Sequence, residues 1–159
     1  MGDFSISLND GDYNRLQRAM DGLSKIEKNA IVQRGLQEGV KVFIRQGKSN
    51  LRATLSNEPQ NVRMRTGNLM SSFTTKTKKR LSKAYAGFNK KGHHAHLVDS
   101  GTVKRWTKNG AYRGSVSKNS PQHGSNFWHS AVEQKKQAAM NELMDSIEKS
   151  IDQIITRNR

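Results

Sequence analysis

Cysteine is missing from this 159-residue chain. Its absence excludes disulfides, thiolate metal sites and cysteine nucleophiles. Long apolar runs are missing too: no stretch of 18 or more apolar residues occurs, so no segment is expected to span a membrane. The opening Met1-Gly2-Asp3-Phe4 offers neither a charged n-region nor an apolar h-region, and no signal peptide is expected. These absences predict a chain made and used in an intracellular, reducing compartment. Apolar residues are scarce overall, at 33%, while 26% are charged. A thin core under a large polar surface follows, which favours a small α+β domain, or a subunit that completes its burial against neighbours.

The most informative scarcity is of acids in the middle of the chain. Residues 41–118 hold 18 Lys and Arg against two acids, Glu58 and Asp99, whereas the rest holds 10 bases and 11 acids. The whole excess behind the net charge of +15 therefore lies in that stretch. A field of this kind attracts polyanions or an acidic protein partner.

Apolar spacing organises the remainder. Phe4, Ile6 and Leu8 alternate with polar residues as in a strand with one buried face. Asn9-Asp10-Gly11-Asp12 supplies a turn and an N-cap. Tyr13, Leu16, Met20 and Leu23 then mark a first helix ending near Gly22. A second, longer helix is expected over 25–55, on Ile26, Ala30, Leu36, Val40, Phe43, Ile44, Gly47, Leu51 and Leu55. Gly35, Gly39 and Gly47 lie inside it, each costing roughly 1 kcal/mol relative to Ala. Their presence points to close approach of another element, or to a kink. Residues 57–65 read as a loop, and Thr66-Gly67-Asn68-Leu69 as the start of a short turn or helix. Residues 73–80 and 84–88 fit a hairpin turning near Leu81-Ser82-Lys83. Its first strand is so polar that an edge position, or a contact strip, is expected. Residues 103–124, rich in Gly, Ser, Asn, Lys and Arg, read as a long exposed loop. A final helix is expected from Phe127 to about Thr156, with Ala131, Ala139, Leu143, Ile147, Ile151 and Ile155 at four-residue steps. Its acids fall mostly off that stripe.

Catalytic signals are weak. His93, His94 and His96, with His123 and His129 elsewhere, resemble metal ligands in type, but no Cys is present and only Asp99 follows closely. Surface or interface histidines are the better reading, with some pH sensitivity. Asp99-Ser100 beside His96 is a coincidence of residue types, and no Gly-x-Ser-x-Gly elbow occurs. The two acids of the basic stretch are far apart in sequence, where a two-metal nuclease would need several together. No P-loop and no Gly-x-Gly-x-x-Gly is present. No enzyme, cofactor or metal is expected. Lys76, Lys78, Lys79, Arg80 and Lys83 form one basic strip. Lys90, Lys91, Lys104, Arg105, Lys108, Arg113 and Lys118 follow it. Tyr85, Phe88, Trp106 and Tyr112 are interleaved, so phosphate contact and base stacking are both conceivable. Packing is the simpler role for Tyr85 and Phe88. Nothing here reads sequence, since no helix-turn-helix, zinc finger or RNP signature is visible.

Three segments together resemble a known family. Arg65-Thr66-Gly67-Asn68-Leu69-Met70-Ser71-Ser72-Phe73 looks like a Thr-Gly-x-Leu-x-x-Ser-Phe turn. His94-Ala95-His96-Leu97-Val98-Asp99-Ser100-Gly101-Thr102 is similar to an aromatic-Ala-x-x-Val-acid-x-Gly-Thr motif. Phe127-Trp128-His129-Ser130-Ala131 looks like a Pro-Phe-Leu-x-x-Ala start to a final helix. The family is the tail-component, or neck (head–tail joining, tail-completion), proteins of tailed bacteriophages. His94 stands where that family has an aromatic, and Asn126 where it has the proline before Phe127.

The resemblance implies a small virion protein without enzymatic activity. Its structural positions would be Thr66, Gly67, Leu69, Phe73, Val98, Gly101, Thr102, Phe127 and Ala131. The expected fold is α+β over 1–159 as a single neck domain: a small, mostly antiparallel sheet packed against two long helices, with long exposed loops. The expected function is a homo-oligomeric ring, six- or twelve-fold, at the head–tail connector. Its partners would be the adjacent connector or adaptor and the tail terminator or tail-tube proteins, with packaged DNA possible in the lumen. A docking loop over 103–126 would carry Lys104, Arg105, Trp106, Lys108, Tyr112, Arg113 and Lys118. The alternatives are a tail terminator or tail-tube end protein, and a non-specific nucleic-acid-binding module.

Overall fold

The computed structural model describes the backbone of residues 4–6, then residues 11, 14, 18, 20–56, 67–78, 82–101, 108–110 and 124–157. Most of the helix expected at 13–22, the loop at 57–65, Thr66, Thr102 and nearly all of the basic loop lie outside the described residues. The elements are β1 (Phe4–Ile6), α1 (Lys25–Ser56), α2 (Gly67–Met70), β2 (Phe73–Lys78), β3 (Lys83–Phe88), a 3₁₀ turn (Lys90–Gly92), α3 (Ala95–Ser100) and α4 (Phe127–Arg157). The fold class is α+β. The helices of 32 and 31 residues are the two long ones expected.

The sheet has three strands in the order β1-β3-β2. β1 pairs antiparallel with β3, Phe4 opposite Ala86 and Ile6 opposite Ala84. β2 and β3 are neighbours joined by four residues, a link too short for anything but an antiparallel hairpin. Ser82 takes a left-handed φ of 45° in that link. The polar strand β2 is an edge, as its lysines predicted.

The chain divides into two units assembled from interleaved segments. One comprises 1–2, 45–74 and 88–134; the other comprises 3–44, 75–87 and 135–159. We call them the aromatic unit and the helical unit.

The helical unit buries Ile31, Val32, Leu36, Val40 and Phe43 of α1, Ala84 and Ala86 of β3, and Ala139, Leu143, Ile147 and Ile151 of α4. Helix packing is close at Gly35: a Cβ there would lie 2.6 Å from Ile147 Cγ1 and 3.0 Å from the Leu143 carbonyl. This is the close approach that a glycine inside a helix foretold. α1 starts with a capping box. The Ser24 N–H donates to Glu27 Oε2 at 2.8 Å, and the Glu27 N–H returns a bond to Ser24 Oγ at 3.3 Å. The Ser24 hydroxyl, which donates to the same Glu27 Oε2 at 2.7 Å, and then the Ser24 N–H hold the Glu27 carboxyl below its ordinary pKa.

Three expected core positions are on the surface. Ile26 is 82% exposed and Ile155 46%, and Ala30 is exposed as well. At about 100° per residue, Ile26 lies roughly 80° around the axis from Leu36, and Ala30 roughly 120°. Likewise a four-residue step precesses by about 40°, so two steps carry Ile155 off the line of Ile147.

Candidate interaction surfaces

The three segments that carry the family resemblance fall within the aromatic unit, and there they touch. α2 buries Leu69 completely. The following Ser72 is also fully buried; its Oγ donates to the Leu69 carbonyl at 2.7 Å, and its carbonyl accepts from the Asn89 N–H at 2.8 Å. Phe73 then enters a cluster of four rings, with centroids 4.7 Å from Phe88, 6.1 Å from Phe127 and 5.9 Å from Trp128. The rings are tilted or edge-to-face, the arrangement their quadrupoles favour. Gly47 makes room for them: a Cβ there would sit 2.7 Å from the Trp128 ring and 3.0 Å from Phe73. Phe88 is half-buried and packs against the other three rings, the packing role expected for it.

Asp99 joins α3 to the start of α4. It is 4% exposed, and its Oδ1 accepts from the backbone N–H of Trp128 at 2.6 Å and of His129 at 3.3 Å. These are orphan donors of the first turn of α4. A carboxylate 29 residues upstream thus serves as the helix cap, matched in sign to the helix dipole. The joint is reinforced by backbone. The Ser125 N–H donates to the Val98 carbonyl at 3.0 Å, and the Asn126 N–H to the Asp99 carbonyl at 2.9 Å. Asn126 has a φ of 50°. A proline could supply neither that φ nor that donor, so the backbone here excludes proline at position 126. Gly101 leaves α3 at φ 77°, ψ −175°, a region essentially open to glycine alone. Gly124 lies so close to the Asp99 carbonyl and the Gly101 N–H that no Cβ would fit. On the other side of α4's first turn, Asn50 Nδ2 donates to the Phe127 carbonyl at 3.0 Å and to Ser130 Oγ at 3.2 Å.

Asp99 and Asn50 are the residues that sequence reasoning missed in this joint. One signal was available for Asp99: an acid directly after the largely apolar Ala95-His96-Leu97-Val98, in a stretch with only one other acid. None marked Asn50. Of the expected structural positions, Leu69, Phe127 and Ala131 are buried and Phe73 and Val98 half-buried, while Gly67 is exposed. Gly67 has open space around its Cα, so close packing does not require glycine there.

The histidines sit on the same unit. His93 and His94 meet ring to ring at 5.3 Å, and His93 Nδ1 lies 3.1 Å from the Lys90 carbonyl. Partial burial, then the neighbouring His93 and His96, push the His94 pKa down. His96 is exposed whereas Asp99 is buried beneath α4, so the pair is not a relay. Among the described residues no group of three metal-ligating side chains converges.

The basic strip belongs to the helical unit. Burial alternates strictly along β2, leaving Lys76 and Lys78 exposed on one face. Lys83 and Tyr85 of β3 share that face, since Ala84 and Ala86 point into the core. Lys78 Nζ lies 5.2 Å from the Tyr85 ring centroid, a cation–π contact. Tyr85 is half-buried under the lysine rather than in the core, which corrects the packing role expected for it. Lys79 and Arg80 lie outside the described residues. So do Lys104, Arg105, Trp106, Tyr112, Arg113 and Lys118 of the docking loop; Lys108 is exposed in a turn with Gly110 at φ 74°.

No described helix is long and apolar enough to cross a membrane. The chain matches no model of a known protein family, no curated protein and no solved structure.

Proposed function

We propose that the protein is a structural component of a tailed-phage virion. It forms a homo-oligomeric ring at the neck, between the DNA-filled capsid and the tail. The observation that carries this reading is the joint just described. Three short segments that resemble the neck-protein motifs are far apart in the chain, yet they meet around Phe73, Phe127 and Asp99 in one unit. Scattered coincidences of sequence would have no reason to converge.

The surface supports the same reading. A ring subunit needs polar faces that meet neighbours, and Lys76, Lys78 and Lys83 supply one. The ring stacks on the adjacent connector or adaptor and on the tail terminator or tail-tube protein, and its basic side chains line a DNA-containing lumen or meet acidic partners. It performs no catalysis.

Three measurements test this. Native mass spectrometry of the full chain should give a closed oligomer, and cryo-electron microscopy of the virion should place it on the tail axis below the portal. Removing its gene should leave filled heads and separate tails. A chain that stays monomeric at high concentration, with particles assembling normally without it, would refute the proposal.

A further inference from the structure

The exposed face of α4 carries a row that complements the basic strip. Asp145, Glu148 and Asp152 are exposed and follow each other at three and four residues, so they share one side of the helix. The row spans about 10 Å and ends on Ile155, which is 46% exposed. On the sheet, Lys76 and Lys78 are two residues apart on one strand, roughly 7 Å, with Lys83 on the next strand and Tyr85 between them. Each face therefore offers three like charges and one apolar or aromatic group over a similar footprint, the acidic row being interrupted by one exposed base, Lys149, and so net acidic by two. None of the six charged groups forms an ion pair with a described residue.

We infer that the basic sheet face of one copy docks on the acidic row of α4 of a second copy. The inference rests on the ring reading above and names the contact that closes the ring. Because the two faces differ, the contact is head-to-tail, the type that generates rings. Charge distribution favours a second copy over nucleic acid as the occupant. The helical unit holds ten of the chain's 13 acids, whereas the aromatic unit holds three acids against twelve bases. A phosphate backbone would find the more uniform field on the aromatic unit, and the sheet face sits on the other one.

Charge reversal tests this on the full chain. K76E/K78E/K83E and D145K/E148K/D152K should each weaken self-association by about tenfold or more, with helix content unchanged by circular dichroism. Mixing the two variants in equal amounts should restore the oligomer. In an alternating ring every reversed face meets an oppositely charged one, and a misfolded variant could not be rescued this way. Restored association on mixing establishes the contact. If either variant alone assembles like the unaltered chain, the inference is overturned while the ring reading stands. If the lysine variant loses salt-dependent binding to duplex DNA but still self-associates, the face is a nucleic-acid surface and the inference is again overturned. An unaltered chain that never assembles defeats the ring reading itself.

Discussion

Replacing Asp99 gives the sharpest check on how the aromatic unit is held together. In Asp99→Ala, the N–H groups of Trp128 and His129 lose their acceptor. Trp128 is only 4% exposed, so water cannot readily take the place of the carboxylate. Loss of a cap costs about 1 kcal/mol, loss of an anion at a partly buried helix N-terminus about 1 kcal/mol more, and a buried donor left unsatisfied about 1–3 kcal/mol. These terms overlap, and a total of about 2–4 kcal/mol is expected. For a chain of this length that lowers Tm by roughly 5–15 °C. Asp99→Asn keeps an acceptor oxygen and loses only the charge, so it should cost about 1 kcal/mol. Urea unfolding followed by circular dichroism measures both, and hydrogen exchange locates the effect. The amides of Trp128 and His129 should lose protection first. Equal stabilities for the two variants, both within about 0.5 kcal/mol of the unaltered chain, would refute the cap.

Gly47→Ala should destabilise by about 1–3 kcal/mol through its clash with Trp128, despite the better helix propensity of alanine. Gly67→Ala, with open space around it, should be neutral or stabilising by up to about 1 kcal/mol; the same unfolding assay reads both, and matching signs would contradict the packing. Ser24→Ala should cost about 1 kcal/mol by removing the capping box of α1, with exchange quickening in its first turn. The His94 pKa is lowered in the folded state, so the unfolded chain binds more protons as the pH falls through the ordinary histidine range. Stability from this residue is present above about pH 6.5 and declines below it. His94→Gln should flatten the part of the pH–stability curve that the unaltered chain loses there, and an unchanged curve would show that His94 does not contribute.

How much of this was legible in advance differs from element to element. The long helices were readable because an apolar residue every three or four positions has only one regular solution over thirty residues. The hairpin was readable from alternation and turn residues, and the lysines of β2 marked it as an edge. Helix ends were less secure, since a four-residue repeat drifts around the axis; Ile26 and Ile155 looked like core for that reason. The candidate surface was half legible. Composition located the basic stretch, but which lysines share a face depends on the register of β2 against β3, and whether Tyr85 lies inside or outside depends on the same register.

Local pattern by itself determined the two long helices and the hairpin, the charge asymmetry between segments, and the absence of thiol chemistry, because each follows from residue types and near-neighbour spacing; the short helix over Ala95–Ser100 was not among its readings. Only tertiary structure decided what Asp99, Asn126, Gly47 and Gly124 do. Their roles arise from partners 23 to 81 residues away, and a contact over that separation leaves no periodic trace in the chain. Asp99, one of only two acids in the basic stretch, looked at first like an isolated charge. The fold places it against two backbone N–H groups, and that placement joins the separated motifs into one site.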